Sequence, residues 1–231
     1  MRADLHSHST ASDGTCAPAE VMRQARAAGL DVIALTDHDT VAGHEEARRA
    51  LPRGLTLVPG MELSCRLDGH SVHLLGYLFD PADPELSAET ATIRESRLHR
   101  AEAMAARLAE LGAPVTWERV RAIAGDGVVG RPHLARAMVE AGVIESPEQA
   151  FGPDWIGTGG RAYVPRYALD PSRAIALIRA AGGPARSPRP RPGSARSPAP
   201  DRARTWGRRP GRPHRSSPGR TPAPATRSPR P

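Results

Sequence analysis

The chain has 231 residues, an aromatic content of 3% and 24 prolines, and its formal net charge of +7 is spread unevenly. Residues 184–231 hold 13 Arg, 13 Pro and a single acid, Asp201, with no Val, Ile, Leu, Met or Phe; that segment carries +12, which leaves −5 on residues 1–183. The core must therefore come from residues 1–183, the high overall basicity does not indicate a basic folded face, and no window approaches the 18 apolar residues of a membrane span.

In chain order, Ala3–His8 reads as a short strand, and Pro18–Ala28 as a helix with Pro in its first turn and Gly29 just past its end. Asp31–Thr36 is a dense apolar strand, Val41–Ala50 a second helix, Leu55–Val58 a third strand and Ser71–Leu78 a fourth. This alternation predicts parallel βαβ units, with runs such as Val32-Ile33-Ala34-Leu35 covered on both faces. From about residue 85 only helices follow. Ile93, Ala101, Met104, Ala105, Leu108 and Leu111 recur at helical spacing up to Gly112, Thr116 begins another helix, and Arg131-Pro132 opens a third that ends at Gly142. Ser146-Pro147-Glu148-Gln149 carries a helix-start signature with a Ser/Gln capping box, and Asp170-Pro171 caps a helix through Ala181. The expected organisation is a first part of an α/β body over 1–84, an all-helical insertion over 85–160, a return to that body over 161–183, and a disordered Arg/Pro-rich tail over 184–231.

The chemistry concentrates at strand ends. His6 and His8 are two apart on a strand, so both side chains share one side, at the C-terminal end where parallel α/β folds place their sites. Asp13 follows in Ser12-Asp13-Gly14, the second strand ends in Thr36-Asp37-His38-Asp39, the third runs through Pro59-Gly60 to Glu62, and the fourth carries His73. Imidazole and carboxylate together suit Zn²⁺, Mn²⁺ or Fe²⁺, and several carboxylates among histidines favour two or more ions, able to acidify a bridging water and clamp a phosphoryl group. Each position has a plain structural alternative: a satisfied pair for His6 and His8, a turn for Asp13, a cap for His38, a solvated loop for Glu62, a core histidine for His73. Asp37 and Asp39 read as supports or caps rather than ligands, His70 as a surface residue, and His44 and His99 as solvated helix residues. Cys16 and Cys65, without paired spacing, and an N-terminus with no apolar signal region fit a reducing cytoplasm.

These segments together resemble the first four motifs of the PHP (polymerase and histidinol phosphatase) family: Asp4-Leu5-His6-Ser7-His8-Ser9 with Ser12-Asp13-Gly14, Leu35-Thr36-Asp37-His38-Asp39-Thr40, Pro59-Gly60-Met61-Glu62-Leu63-Ser64 and His73-Leu74-Leu75-Gly76-Tyr77. The helical insertion and Gly130-Arg131-Pro132-His133 further resemble the branch that hydrolyses nucleoside 3',5'-bisphosphates and short RNA from the 5' end. The resemblance implies an α/β fold, a distorted (β/α)7 barrel here incomplete, with two or three divalent ions (Mn, Zn or Fe). It makes His6, His8, Asp13, His38, Glu62 and His73 metal ligands, and Arg131, His133 and Arg161 contacts to substrate phosphate. Arg131 reads equally as a helix-start surface charge and Arg161 as an ordinary loop residue; no catalytic acid, base or nucleophile is assigned.

The implied activity is a metal-dependent phosphoesterase acting on a small nucleotide or short RNA, with no membrane or protein partner. A histidinol-phosphate phosphatase is the alternative within the family. From another class comes an inactive fragment, or a nucleic-acid-binding protein acting through a basic tail. The chain departs from the family after Gly183, where a strand ending in His-Pro and a later Asp-x-His motif are expected; no His lies between His133 and His214. A chain with 32 Arg and no Lys implies a GC-rich gene, and the tail's composition is that of such DNA read in a shifted frame. The expectation is thus a frameshift near codon 183 and a chain of low activity.

Overall fold

In the computed structural model, residues 1–184 are described. The tail from residue 185, with its expected disorder, lies outside them. The elements are β1 (Ala3–Ser7), α1 (Pro18–Ala27), β2 (Val32–Leu35), α2 (His44–Arg49), β3 (Thr56–Leu67), β4 (His70–Tyr77), α3 (Pro84–Glu110), α4 (Trp117–Ala124), α5 (Arg131–Glu140), a 3-10 turn (Pro147–Phe151) and α6 (Pro171–Ala180).

The helices start where side chains can satisfy exposed first-turn N–H groups. Asp83 accepts from Leu86 N, Thr116 from Arg119 N and Asp170 from Ser172 N, and Pro occupies the first turn of α1, α3, α5 and α6. Ser146 differs: its side chain makes no cap, and Gln149 instead accepts from Glu145 N at 2.9 Å, so one short 3-10 turn forms before Gly152-Pro153.

The sheet runs β1-β2-β3-β4. The first three strands are parallel, with Val32–Leu35 against Thr56–Pro59, as the βαβ reading predicts. The fourth departs from it. β3 extends to Leu67 and returns through Asp68-Gly69 as a hairpin, so β4 is antiparallel, pairing Gly60 with Tyr77 and Leu67 with His70. A two-residue connection cannot make a parallel crossover. The sheet curls strongly enough for the Tyr77 hydroxyl on its last strand to donate to Leu5 O on its first, at 2.8 Å. Among the described residues this is a curled half-barrel of four strands; the count of seven finds no counterpart there.

Three apolar clusters hold it together. Met22, Ala25, Ile33, Leu35 and Ala47 join α1 and α2 to β2. Met61, Leu63, Leu74, Leu86, Ile93, Leu177 and Ile178 join α6 and the start of α3 to β3 and β4. Gly76 packs closely there: a Cβ on it would lie 2.5 Å from Ile178 Cδ1, so a larger residue would make the Ile178 side chain shift. Met104, Leu108, Val120, Leu134 and Met138 form the core of α3, α4 and α5. The segment before α6 also touches the sheet: Arg66 N donates to Leu169 O at 2.7 Å and Leu169 N to Ser64 O at 3.2 Å.

Candidate metal centre

Curling brings the C-terminal end of each strand to one place. His6 Nε2 lies 2.6 Å and His8 Nε2 2.9 Å from Glu62 Oε2, and the two ring nitrogens are 3.1 Å apart. His73 Nδ1 bonds Glu62 Oε1, a diagonal neighbour across the β3–β4 ladder. His38 Nε2 is 3.5 Å from Asp13 Oδ2, and His8 Nδ1 is 3.6 Å from Asp13 Oδ1. The six sequence-selected ligand candidates thus fall into three overlapping sets: His6, His8 and Glu62; His8, Asp13 and His38; His38, Glu62 and His73. Within each set the donor atoms lie within 4.8 Å of one another.

The electrostatics match the chemistry of a cation site. Burial opposes ionisation of Glu62 and Asp13, yet the imidazoles facing each carboxyl, with Arg97 near Asp13, hold both below the usual carboxylate range. Burial drives His38 down to about 3, so its imidazole is neutral at pH 7. Burial also works against the charged form of His8, but Glu62, Asp13 and Asp37 together raise its pKa. Among the described residues, His38 Nδ1 is buried without a hydrogen-bond partner, 3.8 Å from Glu62 Oε2. A buried imidazole nitrogen without a partner, beside ionised carboxylates, is where a metal ion would be held.

Two buried aspartates hold the loops in place. Asp37 Oδ1 accepts from Ser9 N at 2.7 Å and Ser12 Oγ at 2.6 Å, and Oδ2 from Ser9 Oγ at 2.7 Å, folding the loop that presents Asp13. That loop passes so close to itself that a Cβ on Gly14 would lie 2.6 Å from His8 O. Asp39 adopts a left-handed φ of 53°, stabilised by bonds from Ser64 N (2.7 Å), Ser64 Oγ (2.6 Å) and Arg97 Nε (2.7 Å). As the sequence reading expects, neither aspartate belongs to the metal-ligating sets. Further arginines of the helical segment grip the same loops: Arg94 Nη1 donates to Asp39 O at 2.8 Å, and Arg136 Nη2 to Asp13 O at 2.7 Å.

The other selected residues are placed less uniformly. Arg131 stands at the start of α5 with its guanidinium 5.3 Å from the Phe151 ring centroid. His133 is 1% exposed, and its Nδ1 accepts from Gly130 N at 3.0 Å, so it fixes the turn before Arg131. Arg161 is exposed on a turn. His70 and His99 are exposed, whereas His44 is half-buried, its Nε2 2.8 Å from Gly60 O, where it pins the third strand; the expectation of a solvated His44 is corrected. Cys16 and Cys65 are free thiols. Sequence reasoning missed Arg94 and Arg97, and their spacing of three on one helix face was a usable sign.

His133 yields a pH prediction. Burial lowers its pKa to about 4. The folded protein therefore binds fewer protons than the unfolded chain between about pH 6.5 and 4, and stability falls as pH falls through that window. In chelator, thermal unfolding at pH 7 and 4.5 should show His133 contributing a loss of about 2 kcal/mol. A His133→Asn chain, which keeps an acceptor for Gly130 N, should lose correspondingly less; equal losses in both proteins would refute the assignment.

The fold and site are those expected of a PHP domain, and residues 4–113 match the family model of the PHP domain. It is 39% identical over 181 residues to a 5'-3' exoribonuclease of Haemophilus influenzae and 36% identical over 182 residues to a 3',5'-nucleoside bisphosphate phosphatase of Chromobacterium violaceum. Each match covers 78% of this chain, which spans 65% and 64% of those relatives' lengths, less than two thirds. Among solved structures, a protein of Bifidobacterium adolescentis classed as a metal-dependent phosphoesterase matches with a TM-score of 0.75 and 37% identity, over 79% of this chain and 65% of that one. A Chromobacterium violaceum amidohydrolase with bound sulfate and no metal also matches at a TM-score of 0.75, with 35% identity, over 80% of this chain and 66% of the other. These similarities support an enzyme of the PHP type. Among the described residues no helix is long and apolar enough to cross a membrane.

Proposed function

We propose that the chain is a metal-dependent phosphoesterase removing phosphate from phosphomonoesters of nucleotides, namely nucleoside 3',5'-bisphosphates or the 5' ends of short RNA. The observation that carries this reading is the convergence of four imidazoles and two ionised carboxylates, with His38 Nδ1 buried and unpartnered among the described residues. His6, His8, Asp13, His38, Glu62 and His73 would hold two or three divalent ions. Such ions supply an acidified water and neutralise charge on the phosphoryl oxygens.

The chain's own groups prepare the site for that chemistry. Asp13 and Glu62 stay ionised at neutral pH, and His38 stays neutral. Arg131 would orient the substrate phosphate through its planar fork, His133 would position Arg131 by fixing Gly130, and Arg161 would meet the substrate at the rim. In the same reading, residues 85–160 form an insertion that walls the cleft between 1–84 and 161–183, the setting is cytoplasmic, and the change of composition at 184 marks a shifted reading frame that lowers turnover.

The test is to load the purified chain with Mn²⁺ or Zn²⁺ and offer adenosine 3',5'-bisphosphate and histidinol phosphate. Slow, chelator-sensitive phosphate release from the bisphosphate is expected, and replacing His6 and His8 together by Ala should remove most bound metal. Release that survives chelation, or an unchanged metal content in that variant, would overturn the reading. So would an absence of turnover both here and in a chain whose frame is restored beyond Gly183.

A further inference from the structure

The six ligand candidates are held in different ways. His6 stands on β1, His8 just past it, and Glu62 and His73 on β3 and β4, so pairing between strands places them. Asp13 stands instead in the loop between β1 and α1, and it belongs to one ligating set alone, with His8 and His38. A carboxylate on a loop has no strand register to fix it, so its aim depends on whatever else grips the main chain.

Part of that grip comes from the sheet side. The bonds that Asp37 accepts tie down Ser9 and Ser12, and Gly14 N donates back to Ser9 O at 3.0 Å. The rest comes from the helical segment on the opposite side. Arg136 Nη2 donates to Asp13 O at 2.7 Å, across 123 positions of sequence. Val128 N donates to Ala11 O at 3.0 Å, and Gly127 runs so close that a Cβ on it would lie 2.3 Å from Thr10 O and 3.0 Å from Ser12 O. The base for this contact is firm, because Leu134, Ala135, Ala137 and Met138, the neighbours of Arg136 on α5, are all buried. A bond from a charged guanidinium to a carbonyl is also stronger than one between neutral groups.

We propose that Arg136 is a positioning residue for Asp13, and that through it the helical segment sets one ion position, at His8, Asp13 and His38, apart from the strand-built position at His6, His8 and Glu62. The inference rests on the preceding functional reading. Arg136 touches no ligand atom. It acts through the carbonyl of the residue whose carboxylate faces His38 Nε2 at 3.5 Å and His8 Nδ1 at 3.6 Å, so a shift of that carbonyl carries the carboxylate with it.

The experiment uses the full chain, stripped of metal and titrated with Mn²⁺, with bound ions counted by the loss of the free-ion paramagnetic resonance signal. Arg136→Gln should weaken one equivalent by at least about tenfold, the lower end of the effect of losing a partner outside the ligand shell, and leave the remaining equivalents as in the parent. Arg136→Lys, whose ammonium can still donate to Asp13 O, should recover part of the loss. Equal weakening of all equivalents, or no change in any, overturns the assignment. Should Arg136→Gln lose the parent's circular dichroism, Gly127→Ala decides by the same reading, since its Cβ displaces the loop without removing a charge. In chelator, the Ser12 and Gly14 amides, both bonded to Ser9 O, should exchange faster in Arg136→Gln, while amides of the β3–β4 ladder keep the parent's rates; unchanged loop exchange would also overturn the proposal. A parent that takes up no metal would defeat the phosphoesterase reading, while faster loop exchange in the variant would still show that Arg136 holds Asp13, so the two failures are distinguishable.

Discussion

Replacing Glu62 by Gln is expected to lower metal affinity by more than about 100-fold, beyond the usual effect of losing an outer-shell partner. Glu62 is the hub of the group. One oxygen faces His6 at 2.6 Å and His8 at 2.9 Å, the other bonds His73, and the residue belongs to two of the three ligating sets. Glutamine keeps the shape, so a loss of metal would report charge and donor chemistry rather than packing. It also presents an amide NH₂ where an anionic oxygen now stands, a donor that cannot bind a cation. The parent and variant should be compared by metal content after dialysis and by circular dichroism. A folded Glu62→Gln chain with the parent's metal content would remove Glu62 from the site.

Replacing Arg97 by Met is expected to destabilise the protein by about 3–5 kcal/mol, because it leaves Asp39 as a buried charge without its cation. Both side chains are inaccessible or nearly so, at 8% and 0% exposure. The bonds from Ser64 N and Oγ would remain, but they do not neutralise the carboxylate. The unfolding midpoint should fall by roughly 10 °C for a domain of this size. Converting Asp39 to Asn in the same chain should recover much of the loss, since a neutral pair no longer buries a net charge. Metal affinity should weaken as well, because Asp39 adjoins His38 and Ser64 lies two residues from Glu62. A midpoint within about 2 °C of the parent would show that the ion pair is not holding the helical segment to the loops.

Much of this was legible before folding was considered. Short-range patterns carry it: a period of two sets His6 and His8 on one side, apolar runs bounded by Gly and Pro mark the strands, and Thr116 and Asp170 announce helix starts. The six ligand candidates were legible for the same reason, since each sits on a strand or in the loop that leaves it.

Tertiary structure alone decided the rest. Alternation reveals a strand but not its direction, so the antiparallel return of β4, which sets His73 diagonally across from Glu62, required the hairpin at Asp68-Gly69 to be seen. Burial divides chemically similar residues: His133 ends inside the protein as a neutral acceptor, while Arg161 remains at the surface. The bond from Arg66 Nη2 to Arg166 O spans 100 positions, and the Arg97–Asp39 pair spans 58. Charges this far apart in sequence meet because apolar packing of α3 and α6 on the sheet brings them together. A hydropathy pattern records that an element has a buried face, but not which distant charges its packing will align.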